Sequence, residues 1–357
     1  MTASLAPPRP RLRHPLSLAL LAAVAAGGVG VLLVVAAGAA PTAAWAALDE
    51  GMFGSPYSVG SSLNSAAVLA LIATGFTVAH RAGLVNVGGE GQLCAGGLAA
   101  AATGLALPAQ VPSAIGVPLI LLAGFAAGAA WASVAGVLKT RRGTSEVITT
   151  LLLNFVGAGA VSVAVHEEGL LRQPVTSSET LPQSAPLPAG AQLPLVAGVE
   201  SPATAIVVLA VVAVVVTGVV LRGTAVGLKL KSVGHSPAAS ARLGLPVERL
   251  QEGGLAVAGG LAGVAGACLV ATAPYVLAEH FSSGYGFSGL VVGLLARGSL
   301  VAVAAVSLLL GFLNSGGINL QLAAGVPASS VQIVQSVLVL LIAAAMLWSN
   351  RRHRSGS

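Results

Sequence analysis

Long aliphatic runs alternate along this chain with short polar or proline-bearing breaks, and the strict apolar–polar alternation of a half-buried strand is absent. A helix needs about 20 apolar residues to cross a bilayer core. The pattern predicts spans over 16–40, 61–79, 83–105, 114–138, 144–165, 203–221, 253–272 and 331–348. Two more segments, 287–296 and 300–313, are shorter, and the first is too short to cross untilted. The expected fold is an all-α polytopic membrane protein with ten transmembrane or partly spanning helices. Its transmembrane domain covers 16–349 between tails at 1–15 and 350–357. Residues 41–60 read as a loop, and 166–201 as a polar, proline-rich external loop with room for a short surface helix.

Composition agrees with this reading. Hydrophobic residues make up 55% of the chain, charged residues 8%, and the mean hydropathy is +0.91. A soluble domain carries about 25% charged residues. The sequence pI near 10.0 does not point to nucleic acid, because the charges bracket apolar runs and form no patch with interleaved aromatics. Cys94 and Cys268 lie in small, apolar surroundings with no spacing for a disulfide framework or a metal site. The basic start of the chain resembles a signal peptide, but its hydrophobic run exceeds the usual 7–15 residues, so it reads as the first span.

With the N-terminus inside, the ten segments put 16 of the 17 Lys and Arg residues on the cytoplasmic side, leaving Arg172 outside. Seven of the 11 acids fall on the other side. This is the asymmetry of the positive-inside rule, and it predicts that both termini are cytoplasmic. Halves of five segments each then have opposite topology, as inverted repeats do. Each half contains a glycine-interrupted stretch, at 83–97 and 253–266.

The first stretch, GLVNVGGEGQLCAGG, carries Asn86, Glu90 and Gln92 among six glycines. A carboxylate at membrane depth costs at least a few kcal/mol, and irregular backbone survives there only when buried in protein or lining a cavity. One reading is a broken helix beside a polar path. The other makes the glycines packing notches, with Glu90 at a wet interface. The span from 144 opens with a second membrane-edge carboxylate, Glu146, and contains Asn154. Glu146 suits either a polar path or the N-terminus of its own helix.

Between the sixth and seventh spans, 222–250 is the longest basic segment. Within it Pro237 can begin a helix with Ser236 as N-cap, Ala238, Ala239, Ser240 and Ala241 are small, and Gly244 ends the helix before Pro246. Small side chains, flanked here by Gly234 and Arg242, permit deep seating in a partner's groove. The alternative is an ordinary polar loop obeying the positive-inside rule. No phosphate-binding loop, His-Glu-x-x-His, Cys-x-x-Cys or Gly-x-Ser-x-Gly motif occurs, so no nucleotide-hydrolysing or other catalytic residue, cofactor or metal site is expected.

Asn86-Val-Gly-Gly-Glu90-Gly-Gln92, and Gly143-Thr-Ser-Glu146 continuing to Asn154, resemble motifs of ABC-importer permeases of the nucleoside and simple-sugar subgroup. The segment 227–246 resembles that family's coupling loop, and 284–316 its later signature, although Arg297-Gly298-Ser299-Leu300 departs from the usual turn. The resemblance covers 60–345. It implies a permease without its own ATPase site, in a bacterial cytoplasmic membrane. Its implied partners are an ABC ATPase, a second permease subunit (identical or related) and an extracytoplasmic substrate-binding lipoprotein. The implied cargo is a nucleoside or simple sugar, with branched-chain amino acids a related class. Candidate path residues are then Asn86, Glu90, Gln92, Glu146 and Asn154. Candidate coupling residues are Gly234, Ser236, Pro237, Ala238, Ala239, Ala241, Arg242, Gly244 and Pro246. Two rival readings are a proton-coupled secondary transporter using Glu90 or Glu146, and a membrane scaffold without transport.

Overall fold

The computed structural model describes residues 15–175, 181–327, 329–337 and 340–341. The described residues are helical over most of their length and contain isolated β-bridges but no strand. The expected tails, apart from Pro15, and residues 338–339 and 342–348 of the last expected span lie outside the described residues. The chain forms two units, one from 49–316 and one from the two ends, 1–48 and 317–357.

In the terminal unit, α1 (Pro15–Ala36) leads through Gly38 into α2 (Pro41–Phe53), where sequence predicted a loop. Pro41 at the first helical position and the alanine-rich run behind it explain this helix. Asn319 donates from Nδ2 to the Ala47 carbonyl at 2.7 Å, tying α2 to the end of α12 (Leu300–Ala324). Residues 329–337 are helical, the start of the last expected span.

The central unit follows the expected order with shifted ends. It comprises α3 (Pro56–Arg81), α4 (Gly89–Ala106), α5 (Ser113–Arg142), α6 (Glu146–His166) and α7 (Ile206–Gly223). After two short helices, α8 (Ala225–His235) and α9 (Pro237–Arg242), come α10 (Val247–Val270), α11 (Tyr285–Ala296) and α12. Ser55 caps α3, its hydroxyl accepting from the Ser58 amide at 3.1 Å, and Pro56 opens the helix. Six helices are long and apolar enough to span: α3, α5, α6, α7, α10 and α12. At 12 residues, α11 is about 18 Å long, roughly half a bilayer core. The helix α12 runs 11 residues past its expected end at 313, straight through Gly316 and Gly317. Glycine does not stop a helix whose backbone has no water to turn to.

Glycine 253–266 was expected to interrupt a span, yet α10 is continuous through it. These glycines are contact points. A Cβ on Gly263 would strike the Gly124 carbonyl, one on Gly96 would strike Gly263, and one on Gly266 the Leu93 carbonyl. Backbone-to-backbone approach of this kind lets helices associate where lipid removes the hydrophobic drive. The break in the second half lies later, at 271–284, between α10 and α11.

The expected external segment folds back on that break. The Ser184 amide donates to Leu277, Leu187 to Tyr275 and Leu193 to Ala271, all at 2.8–2.9 Å. Leu187, Ala191 and Leu193 are buried beneath it, and its only helical turn among the described residues is Ala189–Ala191. Outward faces of α5, α6 and α7 carry Leu122, Phe155 and Val219, exposed by 65%, 70% and 62% as befits lipid contact.

Gly263→Leu is expected to lower the unfolding temperature of detergent-purified protein and its monodisperse yield. Overpacking a tight contact costs about 1–3 kcal/mol. Gly159→Leu, at a glycine with open space around it, should leave both readouts unchanged.

Candidate functional site

Helix α3 ends at Arg81, Gly83 takes a left-handed φ of 79°, and the backbone stays irregular until α4 begins at Gly89. Ala82, Leu84, Asn86 and Gly88 of this segment are buried in protein, so its polar groups need partners. One face of α6 supplies them. Asn154 donates from Nδ2 to the Val87 carbonyl at 2.9 Å and accepts the Gly91 amide at 2.8 Å. Thr150 accepts the Val87 amide at 3.2 Å, and Glu146 accepts the Val85 amide at 3.5 Å. The spacing explains the match. Four residues of helix rise about 6 Å, the advance of two residues of extended chain. Glu146 and Thr150, at i and i+4 on α6, therefore meet alternate residues of the unwound segment, Val85 and Val87, and Asn154 at i+8 joins Val87 to the first turn of α4.

Glu146 is held from its other side by Lys139, with Nζ 2.6 Å from Oε2. Within the break, Asn86 and Gln92 exchange amide hydrogen bonds in both directions at 2.9 Å, and Asn86 Oδ1 also accepts the Gly88 amide at 3.0 Å.

Glu90 lies in the first turn of α4, and its Oε2 accepts the Gly286 amide at 2.7 Å from the first turn of α11. Two helix N-termini thus meet at one carboxylate, each presenting the positive end of its dipole. Among the described residues, no Lys, Arg or His forms an ion pair with Glu90. Gly286 is required for the approach, since a Cβ there would run into the Glu90 amide and Cα. Next to it, Tyr285 donates to the Ser65 hydroxyl at 2.9 Å.

The five candidate path residues therefore gather at one place. Asn86, Glu90, Gln92 and Asn154 are 5%, 7%, 1% and 3% exposed, with polar atoms turned to protein. Sequence reasoning missed Thr150, which the spacing from Glu146 to Asn154 contains, and Gly286, whose partner is 196 residues away.

Of the candidate coupling residues, Gly234 sits directly against the break. Gly234, near the end of α8, packs its backbone on the Arg81 carbonyl and the Gly83 amide; a Cβ there would meet both, the second at 3.0 Å. Leu230 of α8 joins Val78 of α3, Ala82 just beyond its end and Leu221 of α7 in one buried cluster. In α9, the Ser236 hydroxyl accepts the Ala239 amide at 3.3 Å, and Gly244 closes the end at a φ of 78°. Pro237, Ala238, Ala239, Ala241, Arg242, Gly244 and Pro246 are exposed. So is Leu243, at 79%, an apolar knob that sequence reasoning passed over. Among the described residues, no three His, Cys, Asp or Glu side chains cluster to hold a metal ion.

Residues 58–344 match the family described as branched-chain amino acid transport system / permease component. The chain is similar to the guanosine ABC transporter permease protein NupP of Bacillus subtilis, with 29% identity over 94% of both chains. It is 32% identical to the glucose ABC transporter permease protein TsgB13 of Haloferax volcanii, over 95% of this chain and 88% of that one. The nucleoside ABC transporter permease protein NupB of Lactococcus lactis is 28% identical over 88% of this chain and 87% of its own. No solved structure matches the chain significantly.

Asn154→Leu is expected to destabilise the protein by about 1–3 kcal/mol for each buried backbone group it orphans, here the Val87 carbonyl and the Gly91 amide. Thermal unfolding in nanodiscs measures this, with the lipid-facing Ile148→Leu as the unaffected control.

Proposed function

We propose a transport cycle from one premise: this chain belongs to the branched-chain amino acid transport system permease component family and is the membrane-spanning permease subunit of an ABC importer. It sits in a bacterial cytoplasmic membrane with both termini and the 222–250 segment inside, as its charge distribution favours. An ABC ATPase docks on the cytoplasmic face, and the chain itself performs no hydrolysis. A second permease subunit completes the path, and a substrate-binding lipoprotein delivers cargo from outside. The cargo is a nucleoside or simple sugar. Relatives named for guanosine, nucleosides and glucose support a neutral, polyhydroxylated solute.

One observation carries the mechanism: the Gly234 backbone bears on Arg81 and Gly83, where α3 gives way to the unwound segment. ATPase closure displaces α9, and α8 passes that displacement through Gly234 to the break. The α6 face at 146, 150 and 154 keeps the segment ordered as it moves. Glu90 then transmits the shift to the first turn of α11. Asn86, Glu90, Gln92, Glu146 and Asn154 shape the path by positioning half-helices, whose amide-bearing ends face cargo in many transporters.

Two substitutions separate docking from transmission. Ala239→Trp, on exposed α9, should abolish co-purification of the ATPase. Gly234→Val, under the break, should keep the ATPase bound while cutting receptor-stimulated ATP hydrolysis and uptake in liposomes. Wild-type assembly and stimulation in both, with normal yields, would remove α8 and α9 from the coupling route.

A further inference from the structure

An apolar groove of about 190 Å³ lies between α3, α7 and α12 and is unconnected with the Glu90 site. Its lining includes Ala66, Ala70, Ala210, Val214, Ala304 and Ser307. Small residues on three helices leave a furrow where large ones would fill it. Ser307 is 1% exposed, and its hydroxyl has no hydrogen-bond partner.

Below the groove, α7 and α12 close together where Gly218 meets Leu300, with 3.4 Å from a Cβ on the glycine to Leu300 Cδ1. Arg222 follows Gly218 by four residues, one helical turn of about 6 Å. Arg297 precedes Leu300 by three and ends α11 at a left-handed φ of 50°. Both arginines are exposed, and among the described residues neither side chain has a hydrogen-bond or ion-pair partner. Beyond them α8 exposes Val226 and Leu228 beside Lys229 and Lys231, the composition of a helix lying at a membrane interface.

We infer that this furrow is a binding site for an anionic phospholipid, its acyl chain in the α3–α7–α12 groove and its phosphate on Arg222 and Arg297. The dimensions agree. From Arg222 to the groove residues Val215 and Val207 is seven and fifteen helical residues, about 10 and 22 Å, the depth range of an acyl chain hung from a headgroup. A guanidinium forms paired hydrogen bonds with phosphate oxygens. Two of them at the basic edge of a bundle, flanked by Lys229 and Lys231, select negative lipid over zwitterionic lipid.

The test is native mass spectrometry of the permease complex released from vesicles of equimolar phosphatidylglycerol and phosphatidylcholine. One phosphatidylglycerol retained per permease chain is expected, with about tenfold preference over phosphatidylcholine, as suits two cations at a membrane surface. The pair Arg222→Gln and Arg297→Gln should bring the preference to parity, and Arg222→Lys with Arg297→Lys should keep most of it. Ala304→Phe, filling the furrow, should remove the retained lipid while ATPase assembly persists. Unchanged preference in the glutamine pair, or unchanged retention in Ala304→Phe, would overturn the site. A bare wild-type chain whose dimerisation is broken by Ala304→Phe would also overturn it, by showing that a second copy fills the furrow.

Discussion

Irregular chain buried in protein leaves amides and carbonyls that little water can reach, and the central unit depends on how that need is met at residues 82–88. The partners come from one face of α6, where Glu146 and Thr150 meet Val85 and Val87 and Asn154 joins Val87 to Gly91 of α4. Without that face the Val85 and Val87 amides, the Val87 carbonyl and the Gly91 amide lose the side-chain partners that the structure gives them. The carboxylate at membrane depth is a consequence of the break, because only a helix N-terminus offers amides to a negative group without a cation.

Holding the break in place requires helices closer than aliphatic side chains permit. Gly96, Gly124 and Gly263 come together where α4, α5 and α10 cross, and Gly75 of α3 reaches the Ala258 backbone of the same helix. These contacts fix α4 against α10 along its length, so displacement at the foot of α4 moves the helix as a body. Packing of this density is bistable rather than elastic, which suits a protein that alternates between two access states. The apolar faces of α5 to α7 carry no such contacts and stay free for lipid.

Much of this was legible before any coordinates. The all-α class, the order of the apolar segments, the short α11 and the Ser236-capped helix follow from apolar run length and capping residues, whereas six of the ten expected segments are, among the described residues, helices long and apolar enough to cross. What escaped has physical reasons. Glycine clusters carry two meanings, and sequence alone does not separate a helix that ends at them from one that packs on them. Hence 253–266 was read as an interruption, while it is helical throughout. The pairing of Glu90 with Gly286 spans 196 residues and leaves no local trace, since the partner group is a backbone amide. The α2 helix was hidden by its acids, which read as loop.

Corrected, the break positions say more than the glycines did. Taken in chain order, α4 is the third membrane segment of the first half and α11 the third of the second. Each begins only after irregular chain, 82–88 before one and 271–284 before the other. The inverted-repeat reading gains from this, because opposed halves would bring equivalent half-helices to the midplane from opposite sides with their N-termini facing. Two facing positive ends repel unless something negative lies between them. Glu90 is that group, bonded to the α11 amide while seated in the first turn of α4. One side chain thus joins the first turn of α4 to the first turn of α11. A neutral side chain there could accept the same hydrogen bond and still leave the two dipoles opposed, which is why a carboxylate, otherwise so costly at this depth, occupies the position.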